Sequence, residues 1–280
     1  MRFTRMLRVG AAVTALALAA ACGGGGGGNS GKSLVQRAKD TKKVSIGIKF
    51  DQPGLGQKTP DGKYEGFDID VARYVAKELG VDEGNIEFKK AESAQRENMI
   101  EKGEVDYVVG TYSINDKRKE KVSFAGPYFI TGQDLLVRAD NTDITGPETL
   151  DGKKLCSVKG STPAQKIKSD FSKQAELQEY GGYSECLAGL SSGKLDALTT
   201  DSVILAGYAA QNPNKFRLVG KVFTEEKYGI GLKKGDNEGR DAINKAIEKM
   251  IADGAWKASL EKHLGPAGYK IPDPPAITEK

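Results

Sequence analysis

Two charged residues, Arg118 and Asp201, stand in settings where their chemistry can be used. Arg118 follows Ser113 by five residues within the stretch 105–129, VDYVVGTYSINDKRKEKVSFAGPYF. The stretch reads as a buried strand (105–109), a hydroxyl-bearing turn (Thr111, Tyr112, Ser113), a charged helical turn around Arg118, the strand-like 122–124 and a Gly-Pro-Tyr turn. Polar loops beyond the carboxyl ends of strands are where α/β sheets hold ligands. An arginine set there among hydroxyls and amides can grip a carboxylate by two parallel charge-assisted hydrogen bonds. Within the run Lys117-Arg118-Lys119 it reads equally well as one more solvated cation. Asp201 has two readings as well, as N-cap of a helix over 202–210 or as an anion facing a ligand. A solute carrying both a carboxylate and an ammonium loses several kcal/mol for each charge left unpaired out of water. A site for it must therefore supply one cation and one anion.

The surrounding elements place both residues in equivalent positions. Residues 99–106 end in Gly103-Glu104-Val105-Asp106, and 90 residues on the chain reads Gly193-Lys194-Leu195-Asp196. Thr111 and Asp201 each lie five residues beyond the aspartate, so a repeated helix, glycine, strand and polar loop predicts two similar lobes facing each other across a cleft. Apolar periodicity predicts a helix over 34–43, a strand over 44–48, a Gly/Pro-rich loop over 50–62 and an amphipathic helix over 68–79. A strand over 85–88, a helix over 94–102 and a strand over 134–138 follow. The second unit starts near residue 143, with strands at 154–158, 195–198 and 228–232 and helices at 164–171, 183–191, 201–210, 238–252 and 255–263. Lys159-Gly160-Ser161-Thr162 precedes one of these helices, where free amides and the helix dipole favour a further negative group.

Arg2, Arg5 and Arg8 precede an apolar run over 9–21, which is shorter than the roughly 20 residues of a spanning helix. The pattern predicts an export signal over 1–21, with Cys22 either lipidated or merely following a plain cleavage site. Loss of the signal lowers the formal charge by three, from +4 to +1, which removes the main argument for nucleic acid. Residues 22–33 read as a glycine-rich tether. The string GGGNSGKS at 26–33 satisfies a phosphate-loop pattern without the preceding buried strand that the motif needs, so no nucleotide site is expected. At 38% hydrophobic residues, the remainder can bury a substantial core in two lobes. The proline-containing end, 267–280, reads as a loosely held tail.

The segments YEGFDIDVARYVAKELG, SAQR, TYSINDKRKEKVSFAGPY, VKGSTPAQ, LDALTTDSV and YGIGLKKG together resemble the polar amino-acid solute-binding proteins of ABC importers, most of all the glutamate-binding lipoproteins. The resemblance spans about residues 34–265 and implies an α/β, two-lobed periplasmic-binding-protein-like fold of type II. Each lobe would be a mixed sheet flanked by helices, with two hinge strands joining them. Lobe 1 would take 34–130 plus 229–266, lobe 2 would take 133–225, and the hinge would lie near 130–133 and 226–228. It implies an α-carboxylate clamp of Arg118, Ser113 and the Thr111 backbone, with Asp201 as partner of the α-ammonium. Lys159, Ser161 and Thr162 would approach from lobe 2. Ser93 and Arg96 would hold a side-chain carboxylate, with Lys49 and Gln52 beside them. Asn115 and Lys117 replace the family's usual Thr and Glu, and Gln52 stands where many relatives have an aromatic residue. The implied ligand is glutamate, then aspartate, with a neutral polar amino acid such as glutamine or asparagine as the alternative.

The implied partners are the amino acid and a membrane permease, with the membrane reached only through lipid on Cys22. No cofactor, metal or nucleic acid is expected, and the chain is expected to act as a monomer. In an exported chain Cys156 and Cys186 are expected to pair as a disulfide, the other reading being two buried thiols. A cleft enzyme acting on a dicarboxylic compound is the rival of another class. The single histidine, His263, reads as a surface residue, and no metal-ligand spacing appears. A sensory ectodomain would need a spanning helix and an intracellular module in the same chain.

Overall fold

Two five-stranded mixed sheets built to one plan organise the chain in a computed structural model, which describes residues 31–171 and 175–280. Residues 32–280 form one compact unit. The export signal and Cys22 lie outside the described residues. The chain opens with α1 (Leu34–Thr41), β1 (Val44–Ile48), β2 (Asp51–Gln52), β3 (Gly56–Lys58), β4 (Tyr64–Glu65) and α2 (Phe67–Glu78). Next come β5 (Ile86–Lys90), α3 (Arg96–Glu101), β6 (Tyr107–Val108), α4 (Asp116–Lys119) and β7 (Val122–Thr131). The second sheet is drawn from the following part: β8 (Gln133–Arg138), β9 (Lys154–Val158), α5 (Thr162–Lys166), β10 (Glu176–Tyr180), α6 (Tyr183–Ser191), β11 (Ala197–Asp201), α7 (Ser202–Gln211) and β12 (Phe216–Leu218). The chain returns with β13 (Glu226–Lys233), α8 (Asn237–Ala252) and α9 (Ala255–Leu264).

The strand orders are β5-β1-β6-β13-β7 and β10-β9-β11-β8-β12, and β2-β3-β4 form a small third sheet. In the first sheet β1 runs parallel to β5 and β6, while β13 is antiparallel to β6 and β7. The second repeats this, with β9 parallel to β10 and β11 and β8 antiparallel to β11 and β12. The sequence echo has a physical basis in this repeat. Asp106 donates its N–H to the Ser45 carbonyl at 2.7 Å and accepts the Ser45 N–H on Oδ2 at 2.8 Å. Asp196 does the same with Lys154, at 2.9 and 2.8 Å. Gly103 and Gly193 both take left-handed φ values, 68° and 75°, which L side chains adopt at a cost.

Helix α2 buries Phe67, Ile69, Val71, Ala72, Val75 and Ala76, each larger side chain contributing on the order of 1.5–3 kcal/mol. Trp256 of α9 meets the Phe67 ring edge-on at 84° and donates Nε1–H to the Tyr128 carbonyl at 2.8 Å. The chain leaves the first sheet at Thr131, and Glu226 returns opposite it. A Cβ at the intervening Gly132 would lie 2.2 Å from the Thr224 carbonyl, so only glycine permits this crossing.

Four expectations need correction. The Gly-Pro-Tyr turn expected after Phe124 is instead an irregularity inside β7: Phe129 pairs with Tyr228 and Ala125 with Ile230, so Gly126-Pro127-Tyr128 bulge opposite Gly229. Pro127 is tolerated there because a bulge on an edge strand requires no ladder donor of it. The tail at 267–280 is held: Thr278 and Glu279 donate N–H to the Gly126 carbonyl at 3.0 Å, and Asn244 bonds the Glu279 carbonyl at 2.7 Å. It thereby covers part of an exposed sheet edge. His263 is 10% exposed in its side chain and sits 2.9 Å from Asp70 Oδ2, because α9 packs on α2. The helix expected over 164–171 is α-helical only at Thr162–Lys166 and widens to a π-helix at Ile167–Phe171.

Cys156 of β9 and Cys186 of α6 form a disulfide with Cα atoms 5.6 Å apart and 30 residues between them in sequence. Closing a loop of that length stabilises the fold by roughly 3–4 kcal/mol in the chain-entropy model. Replacing both cysteines by alanine is expected to lower the denaturant-unfolding free energy by about that amount. Thiol titration of the untreated protein in denaturant should find neither group free.

Candidate functional site

The loop after β6 carries most of the first half's polar equipment. Thr111 sits at a left-handed φ of 45° and is held there by Asp68 at the start of α2, which accepts the Thr111 N–H on Oδ2 at 2.9 Å. Asp68 Oδ1 takes the Tyr128 hydroxyl at 2.7 Å. Burial pushes the Asp68 carboxyl up to about 6 against the pull of these two donors. Arg96, 2% exposed at the start of α3, donates Nη1–H to the Gly110 and Thr111 carbonyls at 3.0 and 3.3 Å. Its guanidinium carbon lies 4.0 Å from the Tyr112 ring centroid, and that of Arg118 lies 5.1 Å from the same ring.

Arg118 is 7% exposed on the short helix α4, whose N-cap is Asn115. Burial first, and the neighbouring Arg96 second, bring its pKa down to about 10. Its Nη1–H donates to the Ser113 carbonyl at 2.5 Å, and its Nε lies 3.5 Å from Glu97 Oε1. Its Nη2–H reaches the other half of the molecule, donating to the Gly160 carbonyl at 2.9 Å. The solvated-cation reading of Arg118 therefore fails. Lys49 is buried too, its ammonium donating to Ser93 Oγ at 2.8 Å, and burial with Arg96 nearby drives its pKa well down.

From the second half, Asp201 ends β11 with its side chain turned away from α7, where it makes no capping bond. It accepts the Tyr228 hydroxyl on Oδ2 at 2.5 Å, while Oδ1 has no protein partner. Burial and then Glu226 push Asp201 up to about 8, opposed by the Tyr228 hydroxyl and by Arg118 and Arg96. Cation and anion thus act on each other within one seam. Thr162 Oγ–H links the halves, lying 3.2 Å from Ser113 Oγ and 2.9 Å from Glu226 Oε2. Close approach depends on Gly160, where a Cβ would fall 2.7 Å from Ala94 Cα.

Lys49, Ser93, Arg96, Thr111, Ser113, Arg118, Thr162 and Asp201 are brought together by these contacts, and Gln52 joins them by accepting the Thr111 hydroxyl at 3.2 Å. Ser161 is buried as the N-cap of α5. Lys159 is exposed and lines a crevice of about 340 Å³ with Arg118, Ser93 and Gly160. Three amides around this loop are committed within the protein: Lys159 N–H goes to the Tyr180 carbonyl and Ser161 N–H to that of Val158, while Ala164 N–H bonds Ser161 Oγ, the N-cap of α5. The Thr111 backbone is likewise committed, its N–H to Asp68 and its carbonyl to Arg96. Glu97, Tyr112, Glu226 and Tyr228 were missed. Glu226 and Tyr228 are separated by two on a strand, a spacing that puts both on one face and that could have drawn attention to them.

Gln52 Nε2, Arg96 Nε and Asp201 Oδ1 are buried without protein partners among the described residues. The arrangement calls for an acceptor near Gln52 and Arg96 and a donor near Asp201. No group of three or more His, Cys, Asp or Glu able to hold a metal occurs among the described residues. No described helix is long and apolar enough to cross a membrane. A larger cavity of about 610 Å³, lined by Arg73, Tyr74, Val81 and Met250 among others, shares no residue with the seam.

Two mixed sheets with charged groups buried between them define a two-lobed solute-binding protein of type II. Residues 44–266 match the family described as bacterial extracellular solute-binding proteins, family 3, and the chain belongs to that family. It is 48% identical over 268 residues to the glutamate-binding protein GluB of Corynebacterium glutamicum, covering 92% of this chain and 90% of that one. It is 40% identical to the ABC transporter glutamine-binding protein GlnH of Bacillus subtilis, over 84% and 86% of the two chains. Among solved structures, the solute receptor for L-cysteine of Neisseria gonorrhoeae superposes with a TM-score of 0.80 at 29% identity, over 86% of this chain and 98% of that one.

The raised Asp201 pKa predicts that any separation of the two halves which solvates this carboxyl is pH-dependent. With the halves in contact Asp201 is pushed up to about 8 by burial and by Glu226, against 3.8 for a solvated aspartate. Its contribution therefore favours the approached form at acid pH and is lost as pH rises from about 4 through about 8. Lys49, with its pKa lowered from 10.5, gives the opposite slope. Small-angle scattering of the ligand-free protein should show that Asp201→Asn removes the first contribution, leaving the variant more compact than the unsubstituted chain at pH 8 and similar to it at pH 4.

Proposed function

We propose that the chain captures an acidic amino acid outside the cytoplasmic membrane, glutamate first and aspartate next, and presents it to an ABC-transporter permease. The observation that carries this reading is three of the buried side-chain atoms without a partner among the described residues, the donors Gln52 Nε2 and Arg96 Nε and the acceptor Asp201 Oδ1. Arg118 with Ser113 takes the α-carboxylate and Asp201 takes the α-ammonium. Arg96, Ser93 and Lys49 receive the side-chain carboxylate, which offsets cations that a neutral side chain would leave buried without a counter-charge. The similarity to a glutamate-binding protein supports the same choice.

In this reading the ligand binds first at Arg118, and the second lobe (133–225) then rotates onto it about a hinge near 130–133 and 226–228. Lobe 1 comprises 34–130 plus 229–266. The export pattern over 1–21 supports secretion, with lipid on Cys22 as the anchor and the protein acting as a monomer. The chemistry is binding without turnover. A neutral polar ligand is the second reading, favoured by the glutamine-binding relative and by Gln52, whose amide can serve either a carboxylate or a carboxamide.

Calorimetry against the twenty amino acids tests the assignment, and glutamate should bind most tightly. Arg118→Ala is expected to weaken binding by about 3–5 kcal/mol, as removal of one partner of a buried ion pair does. Retained affinity in that variant would remove the clamp. Arg96→Ala should cost glutamate at least ten times more affinity than glutamine, and equal losses would remove the side-chain assignment.

A further inference from the structure

Glu226 is a buried carboxylate that the ligand roles above leave unused. It is 4% exposed at the first position of β13. No cation lies within ion-pair distance of it among the described residues; its oxygens receive only the Thr162 hydroxyl at 2.9 Å and the Thr224 hydroxyl at 3.5 Å. Two residues further along the same strand face, Tyr228 donates to Asp201 Oδ2. Strand β13 therefore directs one group at Thr162, which also touches Ser113, and one at Asp201, whose Oδ1 is unpartnered. Two carboxylates of the buried seam thus repel each other, Asp201 with one hydroxyl donor and Glu226 with two, and Arg118 is the cation that acts on both.

We propose that Glu226 is a second counter-ion for the ligand's ammonium, and that it makes the site select amino acids over the matching diacids that lack the amine. This rests on the amino-acid reading of the site. An –NH₃⁺ group has three donors and no acceptor, so it can serve Asp201 Oδ1 and a second carboxylate together. A diacid without the amine leaves the two carboxylates facing each other, and one must take up a proton or the halves must stay apart. The bond from Thr162 gives Glu226 a further consequence: the residue that senses the ammonium is also tied to the helix start that approaches from the other half.

Glu226→Gln separates charge from shape, since the amide oxygen can still accept from Thr162. L-Glutamate is titrated by calorimetry and glutarate by its displacement of glutamate, so that weak binding is still read. In the variant glutamate should bind at least 10-fold more weakly, while glutarate binds as well as before or better. Unchanged glutamate affinity, or equal losses for both ligands, would overturn the proposal, equal losses being the mark of a residue that serves only the approach of the halves. Thr162→Val supplies that pattern for comparison, because it breaks the same contact without altering charge and should weaken both ligands alike. If the unsubstituted protein binds neither ligand, it is the acidic amino-acid assignment that falls.

Discussion

Charges taken out of water must find opposite charges or several hydrogen bonds, and the seam between the two sheets is arranged around that requirement. The first sheet and its loops bring Lys49, Arg96 and Arg118, and the second brings Asp201. Arg118 meets part of its demand with the carbonyls of Ser113 and Gly160, one from each half. Arg96 meets part of its demand with the carbonyls of Gly110 and Thr111 and with the face of Tyr112. None of these carbonyls carries a full negative charge; Arg118 has the Glu97 carboxylate at 3.5 Å as well, whereas Arg96 keeps a buried Nε without a partner among the described residues, so compensation is incomplete. The depressed pKa of Lys49 and the raised one of Asp201 express the same shortage from the two sides.

The duplicated sheet plan makes this arrangement possible. In each half a glycine at positive φ ends a helix, and an aspartate then ties the next strand to the start of the central parallel strand by a backbone and a side-chain bond. This fixes the register of β6 and β11, and with it the loops that begin at Thr111 and Asp201. The halves are not interchangeable, however. The first loop continues into α4, which carries a cation, and the second ends in a carboxylate held by a tyrosine of the first sheet. A common scaffold thus presents opposite charges from equivalent edges.

Much of this was legible because it depends on residue type and short-range spacing. The echo at Asp106 and Asp196, the amphipathic stripe of α2 and the placement of Arg118 beyond a buried strand are local properties. What escaped the sequence depends on partners far along the chain. The Thr111 N–H cannot be known to be spent until Asp68, 43 residues earlier, is folded against it. The end of the chain looks unstructured by composition, yet the edge of β7 offers the Gly126 carbonyl to it. His263 reads as a surface residue until α9 is laid on Asp70. Lys159 illustrates the converse: a loop before a helix suggests free amides, but its own N–H is taken by the Tyr180 carbonyl, 21 residues later, at the end of β10.

The division of charge between the halves bears on how recognition and movement are coupled. The first half brings the cations together with two carboxylates, Glu97 beside Arg118 and Glu226 of β13, which is placed against Thr162 of the second half. On the proposed reading, a solute held by the first half alone would have its carboxylates compensated and its ammonium exposed to water. Drawing the halves together would strip water from that ammonium, and Asp201 would then replace the lost hydration. A ligand shifts a conformational equilibrium only by its difference in affinity for the two states. On the proposed roles that difference would reside in the amine end of the solute, while the cations of the first half would set how tightly the solute is held before the halves meet. Selectivity for the side chain and commitment to the closed form would then fall to different groups, which could change independently of one another.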